Sequence, residues 1–426
     1  MKRRFLALVL AGCLAAVLST AAWAMSPTAV STADELTAAL GNAAVTSIQL
    51  TGNIDISSTL VVTKDVTLDL NGHVLKMTGK CSVIHVKSGT LTLVDNNTSA
   101  EHKFTDDNGL WKLDDNGDKV VKGGVITGGT GGTYTYGNYT YDDCGGGVFV
   151  ASWASFVMNG GNIVGCSAGK SGGGVKVTND GDFKMSGGTI SGCTAGRGGG
   201  IDNRGTTTLS DNAKIKSCRA TGTGRDDHGG GVCSYRNLTV KIGVEITGCE
   251  AVDTGSAAMY VTTGYSDARS SIEGGTFDGS VWLNHSSSGK ITVSGGTFKN
   301  GVSGAWTVTF DTDGGSAVAK QIRANAAATK PADPTRSGYV FAGWYTDKAC
   351  TAAYDFTQPV TDNITLYAKW EAAPRYYYNS GTTTDTDNAD EDKKGSPKTF
   401  DPGADIYAVS AALSLSGTAW IGRKRH

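Results

Sequence analysis

Five carboxylates stand where they could act together. Asp142 and Asp143 precede the glycine run 145–147 by one residue, and Asp226 and Asp227 precede the run 229–231 in the same way. Asp202, with Arg204, follows a third such run at 198–200. If these copies stack in register, the five side chains share one edge. Carboxylates gathered like this can hold Ca²⁺ through oxygen ligands, or serve as acid and base on a glycosidic bond. The competing reading is that aspartate favours turns and these are solvated. No His, Arg and Lys set completes a catalytic arrangement around them. They therefore stand as candidates only, no catalytic residue is assigned, and no cofactor is expected beyond Ca²⁺ at this edge.

A second group is aromatic. Tyr134, Tyr136, Tyr139 and Tyr141 lie in a polar insertion that stretches the interval from Ile126 to Ile163 to 37 residues. Tyrosines on a loop carried by a rigid scaffold can stack on sugar faces or a partner protein. These four are the expected ligand-binding residues, against the alternative of a loop packed on its own scaffold. Other motif matches carry less. Gly169-Lys170-Ser171-Gly172-Gly173 fits a nucleophile elbow and His228 with its three following glycines fits an oxyanion loop, but both lie in glycine turns rather than at a strand-to-helix elbow. In a chain with 60 glycines such matches arise by chance.

The elements that position these residues come from a repeat. Ile163, Cys166 and the run Gly172-Gly173-Gly174-Val175 recur as Ile190, Cys193 and Gly198-Gly199-Gly200-Ile201. Further copies carry Ile215 with Cys218, Ile246 with Cys249, and then Phe277 and Phe298. The intervals between the Ile and Phe positions are 27, 25, 31, 31 and 21 residues. Each copy holds short strands split by glycine turns, and a unit this short cannot close a core alone, so the units must stack. The fold class expected is all-β: a right-handed parallel β-helix over 25–304, about ten coils long, with rungs ~4.8 Å apart. Val175, Val177, Ile163 and Ile190 should point inward. Cys166, Cys193, Cys218 and Cys249 should form a buried ladder of free thiols, because parallel Cβ vectors disfavour bridging. Thr32 and Glu35 form a capping box before Leu36, Ala39 and Leu40, which predicts a short helix over the open end of the first coil.

Composition agrees. Glycine makes up about 14% of the 426 residues, twice the usual ~7%. That density disfavours long helices, and the lack of a Gly-X-Y period excludes collagen. Charged residues are 18% and the net charge is −2. Nucleic acid is not an expected partner.

The two ends read as addresses. Residues 1–24 carry Lys2, Arg3 and Arg4, an apolar run, and Ala22-Trp23-Ala24, which predicts export with cleavage after Ala24. A lipidated Cys13 is the alternative. Residues 372–395 read as a polar linker. Residues 396–426 contain Ser396, Pro397, Lys398, Thr399 and Phe400, an apolar span from Ile406 to Gly422, and Arg423-Lys424-Arg425-His426. The seventeen residues of this span make a helix of about 26 Å, short for a ~30 Å hydrocarbon layer.

Three resemblances follow from these residues. The C-terminal order resembles the cell-wall sorting signal of Gram-positive surface proteins, in which Pro397, Lys398 and Thr399 fit the Leu-Pro-x-Thr-Gly core while Ser396 and Phe400 depart from it. That resemblance implies a sortase-like transpeptidase attacking the Thr399 carbonyl and passing it to peptidoglycan, with the membrane met only through the span before processing. Residues 28–304 resemble the pectate-lyase-like β-helix surface proteins of Firmicutes. Residues 306–370, with Pro334, Arg336, Gly338, Tyr339, Phe341, Gly343, Trp344 and Tyr345 and the ending Leu366-Tyr367-Ala368-Lys369-Trp370, resemble one Listeria–Bacteroides repeat, the B-repeat of internalin-type proteins. This implies a small β-grasp-like module over 305–371, with Trp344 and Trp370 expected in its core. The combined expectation is an exported, wall-anchored adhesin or stalk that engages a host or microbial glycan or surface protein. The alternative is a polysaccharide lyase or glycoside hydrolase using the acidic edge.

Overall fold

The computed structural model describes residues 26–374 except 137–138, 225–227, 253–255, 265 and 286–288, and it describes Tyr136 and Tyr139 for their backbone alone. The expectations placed on Ala24, on Pro397 to Phe400, on the apolar span and on Asp226 and Asp227 fall outside these residues. No helix of the described residues is long and apolar enough to cross a membrane.

One coil shows how the repeat becomes structure. Asp182–Met185, Thr189–Ser191, Thr194–Arg197 and Ile201–Asn203 are four strands in succession, and Thr206–Leu209 returns to lie beside the first. Repetition builds three long parallel sheets of ten, nine and nine strands, plus a shorter fourth sheet. This is a parallel β-helix, and its arrangement is consistent with the right-handed form. In the second sheet, Leu75, Ile126, Ile163, Ile190, Ile215, Ile246, Phe277 and Phe298 stand in one unbroken inward register. The first sheet repeats this with Leu93, Met158, Met185, Leu209, Val240, Ile272 and Val293. The third does so with Ile84, Val148, Val175, Ile201, Val232, Met259 and Val281. Period-2 alternation sends one set of side chains inward from every rung, and nearly all of these residues are fully buried.

The glycine runs are forced by how thin the coil is. At Gly147, Gly174, Gly200 and Gly231 an added Cβ would lie 2.6, 2.6, 2.9 and 2.7 Å from the Cγ2 of Ile163, Ile190, Ile215 and Ile246. It would also sit 2.5–2.6 Å from a carbonyl oxygen of the next rung. The isoleucine of the second sheet thus reaches the backbone where the third begins. The same backbone keeps hydrogen bonding through the turn: Gly146, Gly147 and Val148 donate to Gly172, Gly173 and Gly174 of the next coil. At the opposite corner Gly165, Gly192, Ser217 and Gly248 have φ of 60°, 55°, 49° and 62°. The cysteine that follows each is turned inward, and Cys166, Cys193, Cys218 and Cys249 are buried and unbridged.

Both ends of the stack are covered. The helix Ala33–Gly41 buries Leu36, Ala39 and Leu40, and its capping box forms in full, with Glu35 N–H donating to Thr32 Oγ1 at 3.2 Å and Thr32 N–H to Glu35 Oε2 at 3.2 Å. At the other end, Val293 of the last coil exchanges two backbone hydrogen bonds with Ala324, and Asn325 Nδ2 donates to Ile291 O. Ala324 belongs to the four-stranded sheet region that follows. There Trp306–Asp311 and Ile364–Ala372 pair in parallel at the centre, flanked by antiparallel Gln321–Arg323 and Tyr339–Tyr345. Trp344 is buried with Val308, Phe310 and Leu366, while Trp370 packs at the edge of this core and donates Nε1–H to Thr312 O.

Two excursions leave the coil. The antiparallel meander Glu101–Asp107, Leu110–Leu113 and Lys119–Lys122 folds over the outer side of the second sheet, where Phe104 and Val121 cover Val74, Val125 and Val164. The sequence reading did not anticipate it. The second is the tyrosine insertion, a hairpin of Gly132–Tyr136 and Tyr139–Cys144 that joins the fourth sheet at the Cys144–Ser171 pair.

Gly174→Ala should lower the unfolding free energy by about 1–3 kcal/mol, because neither the rung carbonyl nor Ile190 can retreat. Gly41→Ala, which opens onto free space, should not lower it. Urea denaturation of both variants checks the contrast.

Candidate binding cleft

The outward positions of the third sheet form a row set by its register: Val61, His85, Phe149, Lys176, Asp202, Cys233, Tyr260, Trp282 and Ser303. An outer sheet face would ordinarily be solvated. Here Phe149, Lys176, Asp202 and Cys233 are fully buried, because neighbouring elements bend over them. At one end the hairpin lays Tyr134 on Phe149 and His85, with ring centroids 4.1 and 4.4 Å apart, and Tyr141 packs edge-on to Phe149 at 5.8 Å. Burial, helped by the charge of Lys87, pulls the pKa of His85 down to about 4. At the other end His228, Tyr260 and Trp282 make a second aromatic group, with His228 and Tyr260 rings 4.5 Å apart and Tyr260 and Trp282 rings 6.1 Å apart.

Between the aromatic ends lies a charged cluster. Lys176 Nζ sits 3.1 Å from Asp202 Oδ2, and Arg197 Nε donates to the same oxygen at 2.8 Å. Lys176 is 1% exposed and Asp202 not at all. Burial alone would raise the Asp202 pKa, but Lys176, Arg197 and Arg204 outweigh it and hold the carboxyl below its ordinary value. Burial depresses the Lys176 ammonium, with Asp202 opposing. The carboxylate's contribution to stability is therefore present above the usual aspartate range and is lost as pH falls through its lowered folded-state pKa. The cluster is not saturated. Asp202 Oδ1, Lys176 Nζ and Arg204 Nε have no hydrogen bond of good geometry. The Arg204 guanidinium lies 4.8 Å over the Tyr235 ring.

Above this floor an open cleft of about 510 Å³ runs between the hairpin and the fourth sheet. Tyr141 and Asp142 form one wall, Lys170 and Arg197 the other, and Lys176 and Arg204 reach it from below. Its size falls within the range of small-ligand sites.

The residues singled out from sequence are distributed unevenly around it. Asp142 is at the rim and pairs with Lys170 at 3.3 Å. Asp143 takes a left-handed turn conformation, φ 50°, and accepts from Gly169 N–H at 2.9 Å. Asp202 lies beneath the cleft, bound to its cations. The three described carboxylates are thus each matched to a donor and not to one another. Among the described residues no three His, Cys, Asp or Glu side chains converge to hold a metal. Tyr134 and Tyr141 both pack against the scaffold, and Tyr141 also lines the cleft.

Sequence reasoning missed two features. The Lys176–Asp202 pair is one, although both residues occupy the middle of the strand after a triple glycine and so share a repeat position. The other is Trp153, 83% exposed with φ 64°. Asp180 holds the same position one coil later with φ 60°. A left-handed conformation costs a non-glycine residue roughly 1–2 kcal/mol, aspartate and asparagine less than tryptophan, and at this exposure Trp153 recovers little of that by burial.

Comparison with known proteins fits these two regions. Residues 27–144 match the family described as "Putative pectate lyase-like adhesive domain". Residues 306–369 match the Listeria-Bacteroides repeat domain. Among curated proteins the chain is 30% identical over 120 residues to a "Putative membrane protein" of Evansella cellulosilytica, covering 28% of this chain and 16% of that one. It is 43% identical over 68 residues to a "Putative Gly-rich membrane protein" of the same organism, covering 16% and 8%. It is 35% identical over 77 residues to Internalin H of Listeria monocytogenes, covering 18% and 14%. The matched stretches thus span less than a fifth of each relative. The chain combines a pectate-lyase-like adhesive region with a surface-protein repeat.

Removing one side of the buried pair should be far worse than removing both. Asp202→Ala, which strands Lys176 and Arg197, is expected to cost about 3–5 kcal/mol, and Lys176→Met with Asp202→Leu distinctly less. Urea midpoints of the two variants test the order.

Proposed function

We propose that this chain is an exported surface adhesin that binds at the cleft beside the hairpin and does not cut what it binds. The observation that carries this is the pairing in the cleft: every described carboxylate there is matched to a cation or a backbone donor, which leaves, among the described residues, no free acid and base to share a glycosidic bond. The match to an adhesive domain, the surface-protein repeat, and relatives named as membrane proteins and an internalin support the same reading. Trp153 supports it independently, since an aromatic kept exposed against its backbone preference is suited to anchoring a partner. Export through residues 1–24, and attachment to a Gram-positive cell wall by a sortase-like transpeptidase acting at Thr399, complete the proposal. Wall fragments from the native host should then carry the protein ending at Thr399, and a chain still ending at His426 in the wall fraction argues against sorting.

The test is to pass the secreted protein over a panel of immobilised polysaccharides and host surface proteins while assaying released sugar. Retention without release, unchanged by a chelator, is expected. Release of cut glycan would replace adhesion with catalysis. Trp153→Asn should weaken retention while raising stability by about 1 kcal/mol.

A further inference from the structure

We infer that the cleft between the hairpin and the fourth sheet is a site for the sulfate ester of a sulfated glycan, a ligand class that rests on the binding reading above and narrows it. Four cations line the cleft, Lys170, Lys176, Arg197 and Arg204, against the three described carboxylates around it, Asp142, Asp143 and Asp202. Lys170 is neutralised at the rim by Asp142, and Asp202 shares its one engaged oxygen between Lys176 and Arg197. Arg204 makes no ion pair among the described residues; its guanidinium carbon lies 4.8 Å from the centre of the Tyr235 ring. Lys176, a residue 99% buried, lines the floor of the cleft, and its Nζ, 3.1 Å from Asp202 Oδ2, has no well-formed hydrogen bond. A buried ammonium with donors to spare is costly unless an acceptor completes it. The unsatisfied donors, on Lys176 and Arg204, lie beneath the cleft and the cations Lys170 and Arg197 line its side, so an acceptor seated there meets positive charge from more than one direction. Three terminal oxygens in a tetrahedral group suit that better than two in a planar carboxylate. Guanidinium groups are weakly hydrated and fork towards such oxygens. Thr140, Thr221 and Tyr141 line the same space and suit the sugar that bears the ester. The chain as a whole is net acidic, so it offers no general attraction for polyanions and a local site must supply it.

The experiment measures binding of the full secreted chain to dextran sulfate, hyaluronan and neutral dextran at physiological salt. Dextran sulfate should bind, hyaluronan at least tenfold more weakly, and neutral dextran not at all. Arg204→Gln should weaken dextran sulfate about tenfold or more, the scale of one charge-assisted hydrogen bond. Lys170→Gln, at the exposed rim, gives a second variant should Arg204→Gln disturb folding, and thermal unfolding of both confirms the fold. Equal binding of hyaluronan and dextran sulfate overturns the sulfate assignment. So does dextran sulfate binding that neither variant changes in its folded form, or no binding of dextran sulfate at all. The adhesin reading survives any of these if the panel still shows retention of another glycan or protein, and falls with the inference if nothing is retained.

Discussion

The contact on which everything else depends is that between an isoleucine methyl group and a glycine backbone. Ile163, Ile190, Ile215 and Ile246 reach across the coil to Gly147, Gly174, Gly200 and Gly231, leaving no room for a Cβ. That contact sets the coil's thickness and fixes where the chain turns. It also keeps the turn itself within hydrogen-bonding distance of its neighbours, so the ladder passes through the corner unbroken. Each rung then has nearly all its backbone groups paired, which a buried turn requires. The register follows, because an inward isoleucine slipped by one residue would face solvent.

Constant register is what makes an outer surface addressable. With a rigid third sheet, residues roughly one repeat apart stand side by side, so Phe149, Lys176, Asp202 and Cys233 make a continuous line. The hairpin and the fourth sheet then roof part of that line. Aromatic packing closes one end and leaves the charged middle beneath an open cleft. Stability and the charge of the cleft therefore meet in the same residues: Lys176 and Asp202 are deep enough to matter for folding and near enough to the cleft to shape its charge.

Much of this was legible in the sequence. The recurrence of Ile163, Ile190, Ile215 and Ile246 against glycine runs at fixed offset gave the parallel coil, the inward ladders and the position of the cysteines. Thr32 and Glu35 marked the cap, because a capping box is local and needs no tertiary information. The core of the repeat around Trp344 was legible for a similar reason, since its motif is dense and contiguous. The meander of residues 101–122 was not, as it belongs to no repeat and its apolar residues Phe104, Trp111 and Val121 are sparse among charges. The acidic edge supposed one shared register, whereas Asp142 lies on the hairpin and Asp202 on the third sheet; a one-dimensional reading pairs like with like and overlooks the lysine on the neighbouring rung. Tyr134 and Tyr141 are cross-strand partners that both turn towards Phe149, a direction that depends on where the hairpin docks and so was not legible in the sequence.

The bridge between Val293 and Ala324 has a mechanical meaning. Under tension on the C-terminal sheet region, the covalent path enters the stack at its last coil, near Ser303 and Trp306, and would peel that coil off its neighbour one hydrogen bond at a time. The paired bonds of Val293 with Ala324, with Asn325 holding Ile291, tie a strand deeper in that coil directly to the sheet being pulled. They act as a shunt, so that load is shared before peeling can begin. Such a joint must shear several bonds together instead of surrendering them in sequence.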